Sequence, residues 1–185
     1  MRKRFGPLTV LDDIDLEIPA GQATGIVGPN GSGKTTAIKA MLGLVKPNAG
    51  DVIIDGESIK NNWNYRRKIG YMPQVARYPE NMTVRELFNF IKEVRNVDKT
   101  NQEELVAYFG IESELDKRMR TLSGGNRQKV GAVLAMMFDP EILIFDEPTA
   151  GLDPHASVQF KKRIHREKEA GKTILLYPAH TDDEN

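Results

Sequence analysis

The sequence predicts an α/β fold in which a core carries an antiparallel β subdomain and an inserted α-helical subdomain. An apolar run at residues 23–27 precedes a glycine-rich segment and a helical pattern at residues 34–44. Residues 8–18 alternate apolar and acidic side chains, which is the period of a half-buried strand. Between residues 74 and 123, helix-start signals precede apolar residues at helical spacing. The 185-residue chain is long enough to bury one substantial core.

The first predicted element is the strand at residues 8–18, where isoleucine and leucine alternate with aspartate and glutamate. Such alternation places apolar side chains on one face of a sheet and charged side chains on the other. Residues 51–54 form a further short apolar stretch that could pair beside this strand. We therefore expect residues 1–22 and 51–58 to form the antiparallel β subdomain.

The segment GPNGSGKTT fits the G-x-x-x-x-G-K-[ST] motif of phosphate-binding loops at Gly28, Gly33, Lys34 and Thr35. Glycines let backbone N–H groups approach phosphate oxygens, and Lys34 adds a positive charge near the β and γ phosphates. Thr35 can offer a hydroxyl to Mg²⁺, and the following helix directs its positive dipole end at the anion. An ordinary glycine turn is disfavoured, because strand, lysine and hydroxyl all lie where phosphate binding needs them. The expected ATP-binding residues of this loop are Gly28, Pro29, Asn30, Gly31, Ser32, Gly33, Lys34, Thr35 and Thr36.

A second apolar run, at residues 142–145, ends in Asp146 and Glu147, and Pro148 stops the strand. Asp146 fits a Mg²⁺ partner, whereas Glu147, one residue later, is positioned to polarise an attacking water. Two solvated carboxylates are the alternative, which a neighbouring phosphate loop disfavours. A P-loop NTPase (RecA-like) core is therefore predicted. It comprises residues 23–50, 59–78 and 139–185.

Helix-start signals mark the inserted segment. Thr83 and Glu86 form a capping-box pattern before apolar residues, and Thr100 and Glu103 repeat it. We therefore expect residues 79–138 to form a helical subdomain.

The segment LSGGNRQK, residues 122–129, begins the last helix of this subdomain. Ser123 can cap a helix whose apolar residues follow at helical spacing, leaving N–H groups that face outward. A helix start of this kind attracts an anion. Alone, the segment would be interpreted as an ordinary capped core helix.

Together, GPNGSGKTT, LSGGNRQK and ILIFDEP resemble the nucleotide-binding domains of ATP-binding cassette (ABC) proteins. The resemblance implies a homodimer or pseudo-dimer of two such domains, with each ATP between the phosphate loop of one subunit and the LSGGNRQK segment of the other. It implies that Ser123, Gly124 and Gly125 contact the ATP of the opposite subunit. Asp153, in AGLDP, resembles a residue of the loop that crosses the dimer interface, and it also fits a helix N-cap followed by proline.

Three further residues match the family pattern in chain order. Phe5 resembles the aromatic residue that stacks on adenine, and Gln74 resembles the glutamine that contacts Mg²⁺ and the catalytic water. His180 resembles the histidine that contacts the γ-phosphate, although Tyr177 and the two residues after it replace the family's usual small or hydroxyl residues. The resemblance implies that the catalytic residues are Glu147, His180, Gln74 and Lys34, and that the Mg²⁺ ligands are Thr35, Gln74 and Asp146.

Composition limits the partners and the location of the protein. Lys+Arg 26 balances Asp+Glu 26, so charge gives no argument for nucleic acid, and the basic stretch at residues 161–169 is interpreted as a solvated helix face. The absence of cysteine excludes disulfides and zinc–cysteine sites. No apolar stretch approaches the roughly 18 residues that span a bilayer, and no signal-peptide pattern follows Met1. We therefore expect a cytoplasmic protein that reaches the membrane only through a partner.

The resemblance implies an ATP-binding and ATP-hydrolysing transporter subunit that energises a transmembrane permease subunit through ATP-dependent dimerisation, on the inner face of the cell membrane. Two alternatives stay open, namely a soluble ABC ATPase of translation or DNA repair and a nucleotide-binding module that does not hydrolyse ATP. Export is favoured over import only weakly, and the cargo does not follow from these residues. Because the chain starts almost at Phe5 and ends five residues after His180, we expect residues 1–185 to be a single domain trimmed at both ends.

Overall fold

The computed structural model describes residues 1–29 and 31–177, and these residues have the predicted α/β architecture. The strands are β1 (Lys3–Phe5), β2 (Leu8–Leu11), β3 (Ala23–Gly25), β4 (Ile53–Ile54), β5 (Glu57–Ser58), β6 (Ile69–Met72), β7 (Ile142–Asp146) and β8 (Thr173–Tyr177). The α-helices are α1 (Lys34–Met41), α2 (Val84–Arg95), α3 (Gln102–Phe109), α4 (Gly124–Met136) and α5 (Pro154–Glu169). Short 3₁₀ helices lie at Asn64–Lys68, Glu112–Glu114 and Met119–Thr121.

A parallel sheet with the strand order β3-β8-β7-β6 forms the centre of the fold. In its register Asp146 lies opposite Tyr177, and Phe145 lies opposite Met72. Because all neighbouring strands are parallel, their carboxyl ends meet at one edge, where ligands of open α/β sheets bind. The sheet therefore places the end of β7 in the middle of the candidate site.

Alternating residues of β7 and β8 cover the two faces of this sheet, as a two-residue period requires. On one face Ile144 and Leu175 pack with Ile38 of α1. On the other face Phe145 packs edge-on against Phe160 of α5, with ring centres 5.4 Å apart. The helical segment contributes its own apolar residues to this second cluster, so it is packed continuously with the core.

The close approach of β6 and α4 depends on Gly70. A β-carbon built on Gly70 would lie 1.9 Å from the carbonyl oxygen of Ala135 in α4, which is well inside any real contact. Glycine therefore allows the α4 backbone to lie directly on the sheet. This contact sets the position of the helix that begins with the LSGGNRQK segment.

The predicted pairing of residues 51–54 beside the strand at residues 8–18 is wrong. Residues 53–54 instead form β4, which pairs with β5 across a tight turn at Asp55 and Gly56, where φ is 53° and 77°. An Asp-Gly pair with two positive φ angles is the preferred two-residue hairpin turn, so the local hairpin supplies the hydrogen bonds of β4. The expected strand is also shorter and ends at Leu11. Residues 14–18 and residues 51–55 both line a cavity of about 550 Å³.

One of the two predicted capping boxes is present. The Thr83 hydroxyl accepts from the Glu86 backbone N–H at 3.1 Å, and the Glu86 carboxylate accepts from the Thr83 N–H at 2.8 Å. The second helix begins one residue later than expected, with Asn101 at its N-cap, so the Thr100 and Glu103 pattern does not form a capping box. None of the helices in the described residues is long and apolar enough to cross a membrane.

Candidate functional site

The glycine-rich loop connects β3 to α1 and requires glycine at Gly33. There φ is 91°, and a β-carbon would lie 2.6 Å from the carbonyl oxygen of Val10 and 2.7 Å from the side chain of Leu11. L-residues disfavour this conformation, and the neighbouring backbone cannot give way easily. Asn30, which the sequence predicts as part of the loop, lies outside the described residues.

The start of α1 offers positive electrostatic potential to an anion. Gly33 is the N-cap of α1, and in the described part of the chain no side chain caps the N–H groups there. The first turn of α1 carries no acidic residue. The first N–H groups of the helix are therefore available to an anion, and the helix dipole favours negative charge there. Thr35 is exposed beside them, and Thr36 is half-buried.

Lys34 is buried, and its ammonium group is enclosed by the loop. Its Nζ donates to the carbonyl oxygens of Gly28 and, at 2.5 Å, of Pro29, and the hydroxyl of Ser32 lies 3.4 Å away. The ammonium also lies 4.9 Å from the centre of the Tyr177 ring. A buried ammonium needs such partners to offset its desolvation. The positive charge is thus confined to the loop, beside the first N–H groups of α1.

Asp146 ends β7 and is buried. Its Oδ1 is buried and has no hydrogen-bond partner among the described residues. Burial raises the pKa of this carboxyl above its ordinary value and the negative charge of Glu147 raises it further, whereas Lys39 of α1 acts in the opposite direction. Burial and the charge of Asp146 likewise raise the pKa of Tyr71 to about 12.

An orphaned, buried carboxylate oxygen fits a metal ion, because an unsatisfied acceptor costs free energy that a cation removes. Among residues 1–29 and 31–177, no three or more histidine, aspartate or glutamate side chains form a group that could hold a metal. Mg²⁺ needs no such group, since it is usually bound by one or two carboxylates together with substrate phosphates. The buried, unpartnered Asp146 carboxylate therefore fits Mg²⁺ shared with a nucleotide.

Glu147 has a left-handed backbone with φ of 48°, which is unusual for a residue other than glycine. Its N–H donates to the carbonyl oxygen of Tyr177 at 2.8 Å, which ties the end of β7 to the end of β8. Its carboxylate accepts from the side-chain amide of Gln74 at 2.7 Å. The structure thus brings together two predicted site residues, from the ends of β6 and β7. Backbone strain of this kind costs about 1–3 kcal/mol and clusters at functional sites.

The LSGGNRQK segment starts α4 as the sequence indicates. The Ser123 hydroxyl accepts from the Asn126 N–H at 3.2 Å, and Gly124 and Gly125 are the first helical residues. The side-chain amide of Gln128 donates to the carbonyl oxygen of Ala150 at 3.3 Å, so this helix start contacts the AGLDP loop of the same chain. In the described part of the chain, no hydrogen bond joins the segment to the phosphate loop.

Asp153 is the N-cap of α5. Its carboxylate accepts from the Ala156 N–H at 2.9 Å, and this backbone hydrogen bond lowers the pKa of the Asp153 carboxyl. Proline follows it at the first helical position, as the sequence predicts. The capping interpretation is confirmed, and its contact with a second subunit stays a prediction.

Phe5 and His180 stand apart from the central cluster. Phe5 lies on β1 and is 49% exposed, with the Lys3 ammonium 4.7 Å from its ring centre. The neighbouring strand β2 contacts Gly33 through Val10, so Phe5 belongs to a hairpin that borders the loop. His180 lies outside the described residues.

Sequence reasoning missed Lys39, Tyr71 and Tyr177. Lys39 lowers the pKa of the Asp146 carboxyl, whereas Tyr71 is itself affected by the charge of Asp146. The ring of Tyr177 lies against the ammonium of Lys34. A usable signal existed for Tyr177, because it follows an apolar strand, and the carboxyl ends of parallel strands lie at one edge.

A protein-family model described as ABC transporter matches residues 11–150 of this chain. The Nod factor export ATP-binding protein I of Cupriavidus metallidurans is 36% identical over 181 residues, which cover 95% of this chain and 60% of that protein. The protein of the same name from Burkholderia lata is 34% identical over 183 residues, which cover 95% of this chain and 60% of that protein. The chain therefore spans about 60% of the length of these relatives.

Solved structures agree with this likeness. An ATP-binding subunit of an ABC transporter superposes with a TM-score of 0.87 at 30% identity, covering 96% of this chain and 76% of that one. The ADP conformation of an ATP-binding cassette of an ABC transporter superposes with a TM-score of 0.80 at 26% identity. The match covers 98% of this chain and 79% of that one.

Proposed function

The chain belongs to the ABC transporter family, and from this membership we propose that it is the ATP-binding and ATP-hydrolysing part of a transporter subunit. Its ATP-dependent dimerisation would energise a membrane partner. One observation carries the proposal most directly. Two adjacent carboxylates lie at the sheet edge that also carries the phosphate loop. Asp146 has a buried oxygen without a partner among the described residues, and Glu147 accepts a hydrogen bond from Gln74.

The phosphate loop binds the β and γ phosphates of ATP in this proposal. The free N–H groups at the start of α1 donate to phosphate oxygens, and the Lys34 ammonium offsets their charge. Phe5, exposed on the bordering hairpin, stacks on the adenine ring.

Asp146, Thr35 and Gln74 are the residues that would hold Mg²⁺ with the nucleotide. When bound, Mg²⁺ neutralises charge on the phosphate oxygens. Burial of Asp146 leaves its carboxylate short of protein donors and therefore strongly disposed toward a cation.

Glu147 accepts a proton from the water that attacks the γ-phosphate, giving ADP and phosphate. The left-handed backbone of Glu147 breaks the alternating side-chain directions of β7. The Gln74 amide orients the Glu147 carboxylate through a hydrogen bond. A carboxylate that a hydrogen bond already orients loses little conformational entropy when it contacts the attacking water, and this lowers the barrier to reaction. His180 would contact the γ-phosphate from the segment that follows β8.

A second copy, or a related ATPase domain, completes each site. The N–H groups at Ser123, Gly124 and Gly125 face the γ-phosphate of the opposite subunit, and Asp153 crosses the interface. Loss of the γ-phosphate on hydrolysis removes the anion that bridges the two subunits, so the closed dimer is no longer favoured.

We place this pair on the cytoplasmic face of a membrane, bound to a permease subunit that selects the cargo. Export is the direction that we propose, supported by relatives named as Nod factor export ATP-binding proteins. The cargo of this chain depends on its membrane partner, since the residues of the site face only nucleotide and metal.

Glu147→Gln tests the proposal. The variant keeps the hydrogen-bonding shape of the side chain and loses its basicity, so ATP should bind with parental affinity while turnover falls by about 100-fold or more. ATP should also accumulate a closed dimer, measurable by light scattering. Glu141→Gln is the matched control, because it makes the same change next to the opposite end of β7 and should leave turnover intact. Unchanged turnover in Glu147→Gln would remove Glu147 from the mechanism.

A further inference from the structure

We propose that Tyr177 is a positioning residue, whose ring holds the Lys34 ammonium in the phosphate loop before nucleotide arrives. The proposal rests on the proposed function, since it concerns how the loop is prepared for ATP. It assigns a role to an aromatic side chain at the sheet edge that the chemistry of hydrolysis does not otherwise use.

The contact between ring and ammonium is close and buried. Lys34 Nζ lies 4.9 Å from the ring centre, within the range of about 6 Å in which a cation is attracted to the face of an aromatic ring. Tyr177 is 7% exposed and Lys34 is 7% exposed, so water screens the attraction only weakly. The ring itself is packed by Ile144 and Leu175 on one face of the sheet.

The ring acts together with the loop carbonyls. The carbonyl oxygens of Gly28 and Pro29 accept from the ammonium, and the ring of Tyr177 lies against the same group. A lysine side chain is a compact charge on a flexible four-carbon stem, so partners of both kinds restrict its position. A lysine that is already ordered loses less conformational entropy when phosphate binds, and affinity is correspondingly higher.

Tyr177 also supports the two carboxylates, but through its backbone. Its carbonyl oxygen accepts from the Glu147 N–H at 2.8 Å, and it is the register partner of Asp146. Any residue can make these backbone contacts, whereas only an aromatic side chain can attract the ammonium with its ring. Substitutions that keep or remove the ring therefore separate the two contributions.

The affinity of a fluorescent Mg-ATP analogue tests the proposal. Tyr177→Leu should weaken binding by about 3-fold to 10-fold, which corresponds to the ordering of one long side chain. Tyr177→Phe keeps the ring and should keep the parental affinity. In a Lys34→Met background, Tyr177→Leu should have no further effect, because the group through which it acts is gone. Equal losses in the leucine and phenylalanine variants, or a loss that persists without Lys34, would overturn the role.

Tyr65→Leu is the matched control for packing. Tyr65 is a buried tyrosine of the same apolar cluster, and its hydroxyl lies beside Gly43 rather than in the phosphate loop. The Tyr65→Leu variant should lose thermal stability, as Tyr177→Leu does, but it should keep the parental affinity for nucleotide. An affinity loss in Tyr65→Leu equal to that in Tyr177→Leu would reduce the effect to general packing and overturn the proposal.

Nuclear magnetic resonance of the parent chain gives a readout that does not depend on folding of a variant. A ring above the ammonium should shift the ε-methylene protons of Lys34 upfield, and their absence from the shifted region would contradict the contact. The binding experiment distinguishes the two proposals. A parent chain that binds no nucleotide contradicts the proposed function and removes the basis of this inference. Parental binding with an equally tight Tyr177→Leu overturns the positioning role alone.

Discussion

Asp146 meets two opposing demands at the scale of a single residue. Its buried Oδ1 lacks a protein partner among the described residues, and burial raises the pKa of its carboxyl. The ionised form is therefore costly in the folded chain alone. The same features favour a bound cation, so in the proposed function stability is traded for metal binding at this position.

Asp146→Asn should stabilise the folded chain at neutral pH when chelator removes divalent metal. A carboxyl whose folded pKa is raised contributes stability below its unfolded pKa of about 3.9, and this contribution is lost as pH rises through the folded pKa. The advantage of the neutral asparagine should thus be largest at neutral pH and shrink toward zero below about pH 3.9. Urea unfolding across this range measures it. A variant less stable than the parent at neutral pH would contradict the account of Asp146.

The residues of the loop and of β7 were predictable, because each belongs to a local pattern whose chemistry is known. Lys34, Asp146 and Glu147 follow apolar strands and glycines that the sequence displays directly. The Tyr177 contact was not predictable in this way. It joins side chains 143 residues apart (177 − 34) and depends on strand order, which no local pattern contains.

Elements in this chain form by local rules and are placed by contacts between distant residues. The Thr83 capping box fixes the start of α2, and the Asp55 and Gly56 turn fixes the β4–β5 hairpin. The expected pairing of residues 51–54 was wrong because alternation shows which face is apolar and does not name the neighbouring strand. Placement of α4 on β6 depends instead on Gly70.

Gly70→Ala should destabilise the protein by about 3 kcal/mol or more, because overpacking of this kind typically costs 1–3 kcal/mol and here the obstacle is backbone. The added β-carbon would lie 1.9 Å from the Ala135 carbonyl oxygen, so α4 must move off the sheet. Gly25→Ala is the matched control, since no described residue other than its chain neighbours has an atom within 4 Å of the added β-carbon. Chemical denaturation compares the two variants. Equal stabilities would show that β6 and α4 are not held in close contact.

At the scale of the whole molecule, the proposed nucleotide-binding residues of the described chain fall into two separate groups. The phosphate loop, Asp146 and Glu147 lie at the edge of the sheet, whereas the start of α4 packs against the AGLDP loop. The described residues contain no hydrogen bond between the LSGGNRQK segment and the phosphate loop. Two copies arranged head to tail would give each half its complement.

Ser123→Arg should separate binding from hydrolysis. The phosphate loop of the same chain is untouched, so ATP should bind with parental affinity, while a bulky cation at the start of α4 should block the opposite site and abolish turnover. Calorimetric binding and phosphate release measure the two effects. Ser113→Arg makes the same change at an exposed position of the helical segment and should leave both intact. Full turnover in Ser123→Arg would rule out shared sites.

The rate of Mg-ATP hydrolysis per molecule, measured against protein concentration, tests the central claim most directly. Paired half-sites predict a per-molecule rate that rises with concentration as dimers form and then reaches a plateau. A per-molecule rate that is already maximal at the lowest dilution and unchanged above it, in a protein shown to be monomeric there, would contradict the two-subunit site.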